Sequence, residues 1–164
     1  MVTSQHARRS VRGFSLTELM VVISIMGLML AISSPALSRF VANWRLNGAA
    51  SQMAMVLRAA RSAAVNKNID VVFVFDEDAG EYHFLEDTNS NGVADAGERE
   101  TTVQGLSHGV TISDYTVPQN SITFSSRGST ADGGTIVMTG KSGRQIQIRV
   151  YSGTGNVAVE NTQA

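Results

Sequence analysis

From Leu19 to Ser38 the chain reads LMVVISIMGLMLAISSPALS, without a single charged side chain. At about 1.5 Å of rise per residue, a helix of that length spans the ~30 Å hydrocarbon core of a bilayer. A helix buried in a globular core seldom stays apolar on every face for so long, so the run predicts a membrane-spanning segment. The helical pattern continues past Pro35 to about Asn66, where Asn66-Lys67-Asn68 reads as a stop. A proline in a membrane-proximal helix kinks it without ending it when neighbours absorb the lost hydrogen bond, and Gly48 is a second soft point. At about 100° per residue, Leu37, Phe40, Val41 and Trp44 gather on one side. Leu46, Ala49, Ala50, Met53, Leu57, Ala60 and Ala64 gather on roughly the opposite side. Two apolar faces at different heights need two partners. The later face is expected against the chain's own sheet, and the earlier one against other chains or the headgroup region, where Trp44 also suits.

From Ile69 onward the period changes to two. Ile69–Phe75 is a buried-strand run, and Glu81–Leu85 follows after a turn at Asp78-Ala79-Gly80. Shorter runs stand at Val110–Ser113, Ile122–Phe124, Ile136–Thr139, Gln145–Tyr151 and Val157–Val159, punctuated by Gly, Ser, Asn and Asp. One long helix followed by consecutive strands predicts an α+β fold, the helix laid across an antiparallel sheet.

Charge sharpens this picture. Arg8, Arg9 and Arg12 precede the apolar run, and no acid occurs before Glu18. By the positive-inside rule this end stays in the cytoplasm and the rest is exported. The formal net charge of −1 conceals an asymmetry, because from Asp70 onward thirteen acids face only five bases. The exported part is therefore acidic, with a net charge of about −8, which speaks against nucleic acid as a partner. At 164 residues there is length for one ordinary domain. Without cysteine, that domain is held by packing alone, and thiolate chemistry is excluded.

A basic stretch before an apolar run also suits a secretory signal peptide. However, the sites that would follow the run, Ala31-Ile32-Ser33 and Ser34-Pro35-Ala36, are poor, and Glu18 sits just inside it. An ionised carboxylate there is costly unless paired. Arg12-Gly13-Phe14-Ser15-Leu16-Thr17-Glu18-Leu19-Met20 resembles the cleavage and methylation signature of type IV prepilins and type II secretion pseudopilins. The resemblance implies a membrane peptidase and N-methyltransferase that cuts between Gly13 and Phe14 and methylates the new amine of Phe14. It makes Glu18 the glutamate that meets the N-terminal amine of a neighbouring subunit, and Pro35 the helix-kinking proline. Ser15 and Glu18 also satisfy an ordinary capping box, which is compatible with that role. Further on, Ile122–Ser129 and Ile146–Gly153 resemble strand-and-turn segments of the minor pseudopilin H and FimT-like family.

The division that follows is a cleaved basic leader (1–13), a transmembrane helix segment (14–38), its amphipathic extension (39–67) and an exported, β-rich, pilin-like domain (68–164). The resemblance implies a non-enzymatic minor subunit of a type II secretion pseudopilus or a type IV pilus. It would be anchored once in the inner membrane, N-terminus cytoplasmic and domain periplasmic, and would assemble with other pilins or pseudopilins into a periplasmic filament. The alternative is a FimT-like subunit binding DNA for uptake through a Gly-Arg-x-Arg stretch near the C-terminus. Here the tail reads Gly155-Asn156-Val157-Ala158, Gly143-Arg144-Gln145-Ile146 matches only the first half, and Arg127, Lys141, Arg144 and Arg149 remain as a candidate patch or a solvated sheet face.

Asp87 to Glu98 (DTNSNGVADAGE) follows the twelve-position calcium-loop pattern. The donors are the side chains of Asp87, Asn89, Asn91, Asp95 and Glu98 and the Val93 carbonyl, with Gly92 at the sharp turn. The same residues also make a polar hairpin loop, so calcium stays open as a cofactor. Gly134 to Ser142 is not a phosphate loop, its glycines being one residue too far apart before a strand-like run. Gly153-x-Gly155 has no helix after it and is not a dinucleotide site. His83 and His108 are isolated, His6 lies in the leader, and no serine stands in a nucleophile elbow, so catalysis finds no support.

Overall fold

The computed structural model describes residues 14–91, 95 and 97–162. Among the described residues one long helix, α1 (Leu16–Lys67), comes first, and the chain divides into two units between Ser38 and Arg39. In the first unit, Ser15 caps α1: its Oγ accepts the Glu18 N–H at 3.2 Å and its carbonyl the Leu19 N–H at 3.1 Å. Ser24 and Ser33 donate their hydroxyls to the carbonyls of Met20 and Met29, at 2.7 and 2.8 Å. Such back-bonding satisfies a hydroxyl where no water is available. Residues 14–38 are all exposed, with Leu28, Leu30 and Ile32 among the barest. α1 is long and apolar enough to cross a membrane, and none of that apolar window is covered by protein. The core helix of a water-soluble domain, which passes the same length test, would be buried.

Among the described residues the second unit holds eight strands in two antiparallel sheets. The first has the order β3 (Gln104–Gly105), β2 (Glu81–Asp87), β1 (Asp70–Asp76), β5 (Ser121–Phe124). The second has the order β4 (Val110–Tyr115), β6 (Gly134–Gly140), β7 (Gln145–Val150), β8 (Val157–Thr162). The expected single sheet is thus two, because β5 returns to pair with β1 while β4 pairs with β6. The seven expected strands are all present. The two-residue β3, paired with β2 at Tyr82↔Gln104, and a short 3₁₀ turn at Pro118–Asn120 lie in stretches with no apolar alternation.

Alternation in the strands carries every other side chain into one core. Val71, Phe73 and Phe75 of β1, Ile122 and Phe124 of β5, Ile136 and Met138 of β6, and Ile146, Ile148 and Val150 of β7 are all 2% exposed or less. They pack with Leu46, Ala49, Ala50, Met53, Ala54, Leu57, Ala60 and Ala64 of α1. That is the expected later face, widened by Ala54. Its alanines keep the helix surface low, and a Cβ added to Gly140 would come within 3.3 Å of Leu46, so a bare backbone in β6 helps the approach. The two sheets meet through Phe75 and Tyr115, whose rings lie edge to face at 5.2 Å. Tyr115 also donates to Glu77 at 3.0 Å, a bond that raises its pKa, with burial adding to the effect. On the earlier face, by contrast, Leu37, Phe40 and Trp44 are 63%, 67% and 71% exposed, while Val41 is half-buried.

Candidate functional site

Local rules place the N-terminal signature. Gly13 lies outside the described residues, while Phe14 is exposed immediately before α1 and Glu18 stands in its first turn. Its backbone N–H is spent on the Ser15 cap, so the capping reading holds on that side. The side chain is exposed and has no ion-pair partner among the described residues. Pro35 lies inside α1, and its carbonyl accepts the Ser38 hydroxyl at 3.0 Å.

The loop after β2 is clamped at its base, where Glu86 N–H donates to the Arg99 carbonyl and Thr101 N–H to the Phe84 carbonyl, both at 2.9 Å. This brings five of the six expected donors together; Val93 lies outside the described residues. Asp87 is 2% exposed, and its Oδ1 accepts the Asn91 N–H at 3.2 Å, which Asn89 Oδ1 also accepts at 3.0 Å. Asn89 and Asn91 donate their amide N–H groups to Asp95 Oδ2 at 2.7 and 2.6 Å. Glu98 accepts the Thr88 N–H and hydroxyl on one oxygen and the Asp95 N–H on the other. The backbone N–H of Asp95, then that of Thr88, hold the Glu98 carboxyl below the ordinary glutamate pKa. The loop therefore favours the ionised form: its contribution is present above the ordinary value and lost as pH falls through the lowered one. Among the described residues no three acid or histidine side chains converge as a metal site by themselves, so a cation here would depend on the two amides. A half-turn of either amide exchanges N–H for oxygen with almost no change of shape.

The four bases considered as a patch do not form one: three make separate contacts and the fourth lies elsewhere. Arg149 pairs with Glu160 at 3.5 Å, Arg144 donates to Asn161 at 2.9 Å, and Lys141 lies 3.1 Å from His108. Arg127 stands instead beside Arg58 and Arg61 of α1, a grouping without local sequence signal because about 65 residues intervene.

Residues 49–154 match the family of the type II transport protein GspH, which is more than half of the chain. The chain belongs to the GspH family. Residues 8–34 also match the prokaryotic N-terminal methylation motif, a span that takes in Gly13, Phe14 and Glu18. The pilin-like protein PilA1 of Thermus thermophilus is 38% identical over 88 residues. The match covers 53% of this chain and 55% of that protein, so the chain spans about half the length of this curated relative. Two minor subunits of known structure share the fold of this GspH-family chain. The minor pseudopilin EpsH from the type 2 secretion system of Vibrio cholerae superposes with a TM-score of 0.56 at 18% identity, covering 71% of this chain and 97% of EpsH. The type IV minor pilin FimU of Pseudomonas aeruginosa superposes with a TM-score of 0.58 at 19% identity, covering 74% and 92%. The α+β architecture expected from the strand pattern, and the pilin-like fold implied by the resemblance, are thus present, and the two structural neighbours come from a secretion system and a pilus.

Proposed function

We propose that this GspH-family chain is a non-enzymatic, minor structural subunit of a type II secretion pseudopilus or a type IV pilus. The observation that carries the reading is an uncovered apolar helix whose start, and the glutamate in its first turn, both fall within the match to the methylation motif. Cleavage between Gly13 and Phe14 by a prepilin peptidase creates an ammonium at Phe14, four residues before Glu18. In lipid an unpaired carboxylate costs about 3 kcal/mol, and an amine of the adjacent subunit offsets that cost when filament packing brings the two together. The three leader arginines hold the N-terminus in the cytoplasm and place the acidic domain in the periplasm. Pro35 inside α1 stands where the family resemblance puts the helix-kinking proline, and Phe40 and Trp44 offer an apolar face to neighbouring subunits. Intact-mass analysis of the membrane-extracted protein tests the processing step. A chain beginning at Phe14 and one methyl group heavier than its sequence supports the reading, whereas an uncut chain leaves a plain single-span anchor. DNA uptake has less support, since the domain is acidic and both arginines of the expected tail stretch are missing.

The loop from Asp87 to Glu98 supports a second, structural proposal, calcium binding that stiffens the β2–β3 connection. Its support is the buried Asp87 together with Asn89, Asn91, Asp95 and Glu98 in pattern order, the Val93 carbonyl completing the set. Calcium at a hundredfold excess over its Kd adds about 2.7 kcal/mol to stability. The Tm of the protein should therefore rise by several degrees on adding calcium, and Asp87→Ala with Glu98→Ala should abolish the rise. If the unmutated protein shows no rise, the loop is a hydrogen-bonded turn only.

A further inference from the structure

Away from the apolar N-terminal part of α1 and the calcium-type loop, Arg58, Arg61 and Arg127 wall an open concavity of about 530 Å³, whose remaining wall is Ser62, Asn66, Gly155 and Asn156 with the apolar Val65 and Val157. Among the described residues no acid lines it, although the chain from Asp70 onward is strongly acidic. Among the described residues none of the three guanidiniums has a carboxylate within 4.0 Å. Three like charges are thus gathered in one hollow without an internal counterion, where they repel one another unless an anion sits among them.

Two of the three are locked in place. Arg58, one turn before Arg61 on α1, donates through Nη2 to the Val157 carbonyl at 3.0 Å, and Arg61 donates through Nε to the Gly128 carbonyl at 2.8 Å. Each bond uses one of the five guanidinium N–H groups and leaves the others to the hollow. The turns that supply these carbonyls are fitted closely to one another. A Cβ on Gly155 would lie 2.3 Å from the Gly128 carbonyl oxygen and 3.3 Å from Arg61 Nε, and both glycines have positive φ. The bland reading is that these arginines merely fasten two turns to the helix. It accounts for Arg58 and Arg61 but not for Arg127, an exposed side chain that bonds to no described residue.

We infer that this hollow binds a compact phosphate-bearing anion of at least two negative charges. A carboxylate has two oxygens in one plane and suits one or two arginine forks. A phosphoryl group presents three oxygens in three directions, which matches guanidiniums arriving from a helix and from a separate turn. The volume admits a group of diphosphate size with its solvation. The acidity of the surrounding domain disfavours a long nucleic-acid strand while leaving a small anion free to enter. This inference is independent of the filament assignment.

The test is isothermal titration of the full-length protein, in an uncharged detergent, with inorganic pyrophosphate at two salt concentrations. Saturable binding that weakens with salt is expected. Arg127→Gln should raise Kd roughly tenfold without moving the Tm, since it removes only charge-assisted bonds to the anion. Arg127→Lys should fall in between, keeping the charge but losing the fork. Displacement of pyrophosphate by short-chain phosphatidic acid would assign the anion to a lipid headgroup, and failure of that displacement to a free phosphorylated solute. Absence of saturable binding, or equal Kd values for wild type and Arg127→Gln, would overturn the inference. So would Arg127-dependent binding of a single-stranded oligonucleotide with none of pyrophosphate.

Discussion

Phe73→Ala is expected to cost the folded domain about 3–5 kcal/mol, the usual range for truncating a fully buried phenylalanine. Phe73 has no exposed surface, sits in the middle of β1 between β2 and β5, and packs its ring 6.0 Å from Tyr82 and 6.4 Å from Phe75. The loss combines the transfer free energy of the ring with a cavity that two hydrogen-bonded neighbours prevent from collapsing. Domains of this size have only about 5–15 kcal/mol in hand, so the variant should unfold at markedly lower urea or near ambient temperature. Phe40→Ala is the internal comparison. Its ring is 67% exposed on the opposite face of α1, and its removal should change the urea midpoint of the detergent-solubilised chain very little. Equal midpoints for the two variants would mean that Phe73 is not in the core.

Glu18→Ala should leave the protein membrane-anchored, cleaved and folded, yet strongly reduce its incorporation into filaments. The carboxylate is distant in sequence from every residue of the β-domain core. The role proposed for it is a charge pair with a neighbouring Phe14 amine, so assembly is the property expected to respond. Crosslinking or co-purification with the other filament subunits, compared with total membrane-bound protein, measures this directly. Glu18→Gln should behave nearly as badly, because the amide keeps the shape and loses the charge. Normal incorporation of either variant would remove the pairing argument and leave Ser15 capping as the only role of this turn.

Both predictions bear on what could be read before any coordinates. The two apolar faces of α1 were legible because helical periodicity is a local property, and Leu46, Met53, Leu57, Ala60 and Ala64 are indeed buried. Exposure of Leu37, Phe40 and Trp44 agrees with a face reserved for something outside the chain. The strands were legible for the same reason, within two residues at each end except for β8, which runs three residues beyond the expected Val159. Pairing was not. Alternation states which side chains face inward but carries no information about which strand lies alongside, so β4 and β5 gave no sign that they belong to different sheets. Nor could β3 be seen, since two residues cannot show a period.

Sequence alone determined the apolar run long enough to cross a membrane, the processing signature around Gly13 and Phe14, the position of Glu18, the buried face of the helix and the pattern of the calcium-type loop. Each depends on residues close together in the chain, whose spacing is set by helix rise, strand pleat or a short turn. Tertiary structure alone decided the split into two sheets, the burial of Asp87 and the meeting of Arg127 with Arg58 and Arg61. Those depend on which distant segments pack together. That choice is made by the shape and volume of the whole core, and no local window of the sequence contains it.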